Sequence, residues 1–208
     1  MAKLTAYVGI FGCLLVTAFA ADSFTPILSL QQGCEVAGVK CHGLPGSCAN
    51  GTDTPCEVMA KVSSLSDKTV HVQLEARANQ TNLRLKMDSR WIAVGFSNSG
   101  MMPDTAVVHC FRDENGTAIA KLTYNIPDGH FNIGWKTVDQ SPLEVLSVEP
   151  SYDGIKCAVN LSKKFKIQNS DFDLSSAHHL LAATGPLVDG AINRHDRKPE
   201  ITADTVSF

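Results

Sequence analysis

Residues 91–111 read WIAVGFSNSGMMPDTAVVHCF, and they decide the fold because two apolar runs flank a short polar loop. Residues 91–96 and much of 105–111 are apolar at odd and even positions alike, which is typical of strands buried on both faces. Residues 98–104 contain glycine and proline and form the connection. The stretch therefore predicts two interior β-strands joined by a loop that carries Met101 and Met102.

Strand patterns continue on both sides of this stretch. Apolar and polar side chains alternate in residues 70–77 and 82–87, which predicts half-buried antiparallel strands. One helical turn is expected within 170–177. Further short strands, separated by turn signals, are predicted at 118–124, 143–148, 155–161, 179–183 and 205–208. Short, regularly spaced strands without an amphipathic helix predict an all-β, antiparallel two-sheet sandwich.

The first 20 residues predict a secretory signal peptide, because Lys3 precedes an apolar run over 7–19 that ends in a small-residue cleavage signal. No later stretch is apolar enough to span a bilayer. Residues 21–57 are rich in Gly, Pro, Ser and Cys and show no periodicity, so we expect a disulfide-tied segment packed on a sandwich over 58–208. The mature protein is therefore predicted to be secreted and extracellular.

Cysteines and sequons fit that compartment. Six cysteines follow the predicted signal peptide, and an even number in a secreted chain predicts three disulfides, with 15 possible pairings. Cys110 and Cys157 lie in predicted strands and are the pair we expect, leaving the others to pair among themselves: Cys34, Cys41, Cys48 and Cys56. Sequons predict surface glycosylation at Asn50, Asn79, Asn115 and Asn160.

Several function classes are disfavoured by what the sequence lacks. The net charge is −3 without a long basic block, which argues against nucleic acid as a partner. The sequence has no nucleophile elbow, zinc-protease helix, phosphate-binding loop or dinucleotide fingerprint. His178 and His179 are adjacent, and neighbouring side chains of a strand point to opposite faces, so they are not expected to chelate one ion together.

Two loops carry residues that are unusual for a plain sandwich. Pro103 disfavours the helical region for Met102 and holds it extended. His195 lies in a basic loop beside Arg194 and Arg197. A thioether and an imidazole form the axial pair of an electron-transferring haem, which would be non-covalent because no C-x-x-C-H motif is present. The alternatives are that the methionine fills the core and the histidine is solvated.

Three motifs together resemble the DOMON domain, and in particular the DOMON domain of ferric-chelate-reductase-like proteins. They are WIAVGFS at 91–97, followed by MMPD and VVHC, then HLLAATGPLVDGAINRH at 179–195, and finally the closing strand at 205–208. The resemblance implies an immunoglobulin-like antiparallel β-sandwich of about ten or eleven strands. It also implies a ligand pocket and, in a cytochrome subset, b-type haem. The matching ligand positions here are Met102, with Met101 as the register alternative, and His195.

The resemblance suggests further roles and also sets limits. Arg194, Arg197 or Lys198 are candidates to bind haem propionates. The membrane cytochrome module of ferric reductases and the copper domains of dopamine-hydroxylase relatives are missing from this sequence, so reductase and monooxygenase activities are not carried over. We expect a secreted b-type haem domain that exchanges single electrons with an extracellular partner. The alternatives are a non-catalytic ligand-binding, sugar-binding or matrix protein, and an incomplete version of a membrane reductase.

Overall fold

The computed structural model describes residues 30, 32–50, 55–77, 89–129, 131–151 and 154–208. These residues form strands and one short 3-10 helix, Gly46–Asn50. The strands are β1 (Val39–Leu44), β2 (Val58–Ser64), β3 (Thr69–Arg77), β4 (Arg90–Ser97), β5 (Thr105–Arg112), β6 (Ala118–Asn125), β7 (Asn132–Ile133), β8 (Leu143–Pro150), β9 (Gly154–Ser162), β10 (Lys164–Ile167), β11 (Ser170–Asp173), β12 (His179–Val188), β13 (Ala191–Ile192) and β14 (Glu200–Ile201).

Two antiparallel sheets form a sandwich, which confirms the predicted fold class. One sheet has the strand order β1-β2-β3-β9-β8, and the other has the order β13-β12-β4-β5-β6-β7 with β14 paired to β12. The strands β10 and β11 form a small separate hairpin. The described residues contain 14 strands rather than about ten or eleven. Three of them, β7, β13 and β14, have only two residues each, which is too short for an alternating sequence pattern to be recognised.

The core lies between the two sheets, and β4 and β5 are its centre. Every residue of β4 is buried, and β4 pairs with β12 on one side and β5 on the other. A disulfide between Cys110 of β5 and Cys157 of β9 joins the sheets, which agrees with the pairing expected from the sequence. The stretch 91–111 therefore supplies the two interior strands that its apolar runs predict.

The N-terminal cysteine-rich segment is more regular than the sequence indicates. Residues 39–44 form β1, which pairs with β2 and extends the five-stranded sheet. Two disulfides close within the segment, Cys34–Cys41 and Cys48–Cys56. The buried residues Leu30 and Met59 pack with these cysteines as a second small core. Loop-like composition concealed β1 because disulfides, rather than alternation, hold the neighbouring residues in place.

Two local predictions are wrong. Residues 170–177 form β11 and a turn instead of a helical turn, since residues 170–173 pair with 164–167. At the C terminus the expected strand 205–208 is reduced to a single bridge between Val206 and His178. The signal peptide, the strand at 82–87 and Asn79 lie outside the described residues, as does the side chain of Asn50. Asn115 lies in the β5–β6 turn and Asn160 lies in β9.

Candidate functional site

A cavity of about 960 Å³ lies on the outer face of the seven-stranded sheet, which is the size range of small-molecule sites. Alternate residues of a strand face the same side, so outward-facing positions of β4, β5 and β12 form the floor. Three of these positions, Ala93, Gly95 and Ala183, carry a methyl group or no side chain. The small floor residues leave room above the sheet, while the other face of the same strands fills the core.

The methionine loop between β4 and β5 is held in place by hydroxyl groups of the two strand residues that flank it. Ser97 Oγ donates a hydrogen bond of 2.7 Å to the Met101 carbonyl, and Thr105 Oγ1 donates another of 3.0 Å to the same oxygen. The loop ends at Asp104, whose φ of 52° is tolerated by aspartate more readily than by most residues. Its carboxylate accepts a hydrogen bond of 2.7 Å from the Tyr124 hydroxyl. These contacts fix the backbone that presents both methionines.

The structure distinguishes the two methionines. Met101 is 59% exposed at the cavity rim. Met102 is partly buried, and its Sδ lies 3.2 Å from His195 Nε2, although the two residues are 93 positions apart in the sequence. With Nε2 protonated, the imidazole donates a hydrogen bond to the thioether, which is a weak acceptor. The two candidate ligands named from the sequence therefore meet directly, and Met102 is the methionine that makes the contact.

The loop that carries His195 is tied to β4 on both sides of the histidine. Arg90, only 6% exposed, donates two hydrogen bonds of 2.7 Å to the Asp196 carboxylate. Hydrogen bonding from Arg90 holds the pKa of Asp196 below its usual range. On the other side, Trp91 Nε1 donates a 2.9 Å hydrogen bond to the Asn193 carbonyl. A paired arginine and an indole from adjacent residues of one strand thus orient the loop.

Gly185 of β12 makes this arrangement possible. A β-carbon placed there would lie 2.6 Å from the Trp91 ring and 2.8 Å from the His195 Cα atom. Both distances are far below normal contact, so only glycine allows the indole and the histidine backbone to pack against the strand.

The basic residues of the loop have different roles. Arg194 and Lys198 line the cavity together with His195. Arg197 is not among the lining residues; it forms an ion pair with Glu57, so its guanidinium is engaged away from the cavity. Of the three candidate cations named from the sequence, Arg194 and Lys198 line the cavity and Arg197 does not.

One buried polar residue of the cavity was not identified from the sequence. His109 of β5 is 3% exposed, and its ring lies edge-on to Trp91 at 5.0 Å between centroids. Burial lowers the pKa of His109 to about 3, so the ring is neutral at physiological pH. The sequence does contain a sign of this residue: His109 lies within the otherwise apolar strand 105–111 and faces the same side as Val107.

The adjacent pair His178 and His179 does not form a metal site in the structure. His178 is buried and its Nδ1 donates to the Ser176 carbonyl, whereas His179 Nδ1 donates to the Thr202 carbonyl. Across the described part of the chain, no group of three or more His, Cys, Asp or Glu side chains could hold a metal ion.

We expect Arg90→Lys to loosen the histidine loop, because a lysine cannot reproduce two parallel hydrogen bonds to a carboxylate. Amide exchange over 193–197 should accelerate by roughly tenfold, the effect of losing about one charged hydrogen bond. Hydrogen-exchange mass spectrometry would measure this change. Arg112→Lys, on the exposed β5–β6 hairpin, is the matched control and should leave exchange in the loop unchanged. Equal exchange in the wild type and Arg90→Lys would contradict the anchoring role.

The fold and the cavity together define a class of protein: an antiparallel β-sandwich with a cavity on the outer face of one sheet. The model of the DOMON domain matches residues 63–185, more than half of the chain, and the chain belongs to the DOMON domain family. No helix within the described ranges is long and apolar enough to cross a membrane.

Relatives with curated descriptions match part of the chain. The DOMON domain-containing protein FRRS1L of Mus musculus is 28% identical over 109 residues, which cover 51% of this chain and 34% of that protein. Its Homo sapiens counterpart is 27% identical over 109 residues, which also cover 51% of this chain and 34% of that protein. An uncharacterized protein of Caenorhabditis elegans is 37% identical over 82 residues, which cover 39% of this chain and 30% of that protein. The chain thus matches about a third of the length of these relatives.

Proposed function

We propose that this DOMON domain binds b-type haem and exchanges single electrons with an extracellular redox partner. The observation that carries the proposal is the 3.2 Å contact between Met102 Sδ and His195 Nε2 at the cavity. A thioether and an imidazole are the axial ligands of six-coordinate, electron-transferring haem proteins. Residues from two distant loops meet at the cavity with that chemistry.

The residues around the cavity fit such a group. Ala93, Gly95 and Ala183 give a flat apolar floor, which suits an apolar macrocycle. Arg194 and Lys198 also line the cavity, and no aspartate or glutamate is found among its described lining residues. An apolar ligand with carboxylate groups, as haem is with its propionates, is the kind of molecule that this combination selects.

Binding requires the Met102–His195 hydrogen bond to break. To hold an iron ion, Met102 Sδ and His195 Nε2 would each have to point at the ion, whereas here they lie 3.2 Å apart and point at each other. The two side chains must therefore part, and both lie on loops rather than on strands. The hydrogen bonds to the Met101 carbonyl and the Arg90–Asp196 pair keep the two loop backbones in place while this happens.

When bound, the group supplies an iron that cycles between the ferric and ferrous states. Met102 and His195 would be the protein ligands of that iron, and ligation by Met and His is typical of electron-transferring haem proteins. Trp91 and the small floor residues belong to the apolar part of the cavity lining.

The compartment that we propose is extracellular. The signal peptide predicted at 1–20, three disulfides and sequons at Asn115 and Asn160 support a secreted glycoprotein. A second candidate function is non-catalytic binding of an extracellular ligand such as a sugar. Uncharged polar side chains at one end of the cavity favour it.

A haem titration of the secreted full chain tests the proposed function. We expect one haem per chain, a Soret band and a low-spin, six-coordinate spectrum in both oxidation states. Ala183→Phe should block binding because the ring fills space above the floor. Ala158→Phe makes the same change on the outer face of the other sheet and should bind haem normally. Absence of a Soret band with excess haem would rule out the proposal.

A further inference from the structure

The histidine loop is attached to the N-terminal cysteine-rich segment as well as to β4. Arg197 forms an ion pair with Glu57, whose side chain is only 13% exposed. Further along the loop, the Glu200 carbonyl accepts a hydrogen bond of 2.9 Å from His42 Nε2. His42 is itself buried, so each contact uses a largely buried side chain from the N-terminal part of the chain.

Consecutive side chains of the loop reach different sheets. Asp196 is bound by Arg90 of β4, in the seven-stranded sheet. Arg197 is bound by Glu57, which directly precedes β2 of the five-stranded sheet. The two residues that follow His195 are therefore fixed to opposite layers of the sandwich, which restricts the loop backbone more than either contact alone.

Disulfides support both N-terminal partners. In the sequence, Glu57 directly follows the Cys48–Cys56 disulfide, and His42 directly follows the Cys34–Cys41 disulfide. A β-carbon at Gly43 would lie 3.0 Å from Cys56 Sγ, so this disulfide packs closely against β1 beside His42. Crosslinks reduce the conformational freedom of the chain around them. Glu57 and His42 are thus presented to the loop from a crosslinked support.

This attachment lies outside the part of the chain that the family model describes. The DOMON domain model matches residues 63–185, whereas both N-terminal partners precede that range and both loop partners follow it. Glu57 and Arg197 are 140 positions apart in the sequence. The attachment is therefore a property of this chain's own N-terminal segment and histidine loop.

We propose that Glu57 and His42 are positioning residues for His195, so that the N-terminal cysteine-rich segment is part of the proposed haem site. The inference rests on the proposed function, because it assigns both residues to the placement of an iron ligand. When the Met102–His195 hydrogen bond breaks, the loop loses that restraint. Glu57 and His42 still hold the loop backbone at that stage, and neither of them lines the cavity.

Glu57→Gln removes the ion pair and keeps the shape of the side chain. Amide exchange over 194–202 of the haem-free full chain should accelerate about three- to fivefold, because the lost contact is charged but partly screened by solvent. In the haem-bound chain the low-spin fraction should fall, because His195 leaves the iron for part of the time. Asp173→Asn makes the same acid-to-amide change at an ion pair with Lys164 and should alter neither result.

Rescue variants separate positioning from general damage. Arg197→Glu should repel Glu57 and accelerate exchange further, whereas Arg197→Glu combined with Glu57→Arg should restore the ion pair, slow exchange and the low-spin spectrum. His42→Leu should lose the hydrogen bond to the Glu200 carbonyl and accelerate exchange by a similar factor. His42→Gln keeps an amide donor and should resemble the wild type.

Exchange and a low-spin fraction equal to those of the wild type in both Glu57→Gln and His42→Leu would overturn the positioning role. A charge-swapped chain that stays as impaired as Arg197→Glu would also overturn it. If His42→Leu fails to fold, the variants of Glu57 and Arg197 decide the question alone.

Failure of the haem function gives a different result. No chain, including the wild type, would then show a Soret band, while exchange in the haem-free variants would still respond. In that case the positioning of an iron ligand falls together with the haem function. Haem binding by the wild type with unchanged exchange and spectra in the variants would refute the positioning role alone.

Discussion

Haem affinity should fall by at least about 100-fold when either His195 or Met102 is replaced by alanine. Changes to residues that merely support metal ligands cost about 10–100-fold in affinity, so removal of a ligand should cost at least the upper end of that range. Each variant also loses the low-spin signature, because one axial position becomes open. Absorption spectroscopy during titration of the secreted chain with haem gives both the affinity and the coordination state.

Matched variants separate ligation from general damage. Met101→Ala removes the neighbouring thioether, which is 59% exposed, and His71→Ala removes a half-buried histidine of β3 in the other sheet. Both should bind haem as the wild type does. A normal low-spin spectrum in Met102→Ala and His195→Ala would contradict the proposed ligand pair, and loss of binding in Met101→Ala instead would assign the adjacent methionine.

His109 should make the protein lose stability in weak acid. Burial lowers the pKa of His109 from 6.5 to about 3, so below pH 6.5 the unfolded chain binds a proton that the folded chain does not. The free energy of unfolding therefore falls as the pH decreases from 6.5 toward 3. At about 1.4 kcal/mol per pH unit, the loss contributed by this residue between pH 7 and pH 4 is about 3 kcal/mol.

Urea unfolding of the wild type and His109→Gln at both pH values would measure this contribution. His109 Nδ1 lies 2.9 Å from Thr123 Oγ1, and glutamine keeps a group that can hydrogen-bond to that hydroxyl and does not titrate. Carboxylates and His42, whose pKa is also lowered by burial, affect both proteins equally. The variant should therefore lose about 3 kcal/mol less than the wild type over this interval. Identical losses would show that His109 is solvated or charged in the folded protein.

The sandwich could be predicted from sequence because its strands obey a simple rule. Residues 91–96 and much of 105–111 are apolar on both faces, and this pattern indicates strands whose inner and outer faces are both buried. Residues 70–77 alternate, which reports one solvated face. Where another force determined the structure, the rule failed: disulfides stabilise β1, and pairing with 164–167 makes 170–173 a strand despite its polar composition.

The candidate ligands could be predicted from the sequence, but the contacts that position them could not. Met102 and His195 carry unusual chemistry in their own loops, and a family resemblance connected them. The Arg90–Asp196 pair joins residues 106 positions apart, and neither residue is unusual in its local sequence. Arg197 and Arg194 look equivalent in the sequence, and only the folded position of Glu57 distinguishes them. Contacts between distant residues of ordinary type leave no local pattern to read.

Gly185 provides a way to sort relatives of this chain without solving their structures. Any residue with a β-carbon at that position would push the Trp91 indole of the neighbouring strand β4 or the backbone of His195 out of place. A relative that keeps a methionine and a histidine in the two loops but has a bulkier residue at this point should fail to bring them together. The residue at this one position can therefore be used to choose which relatives to express and test for haem binding.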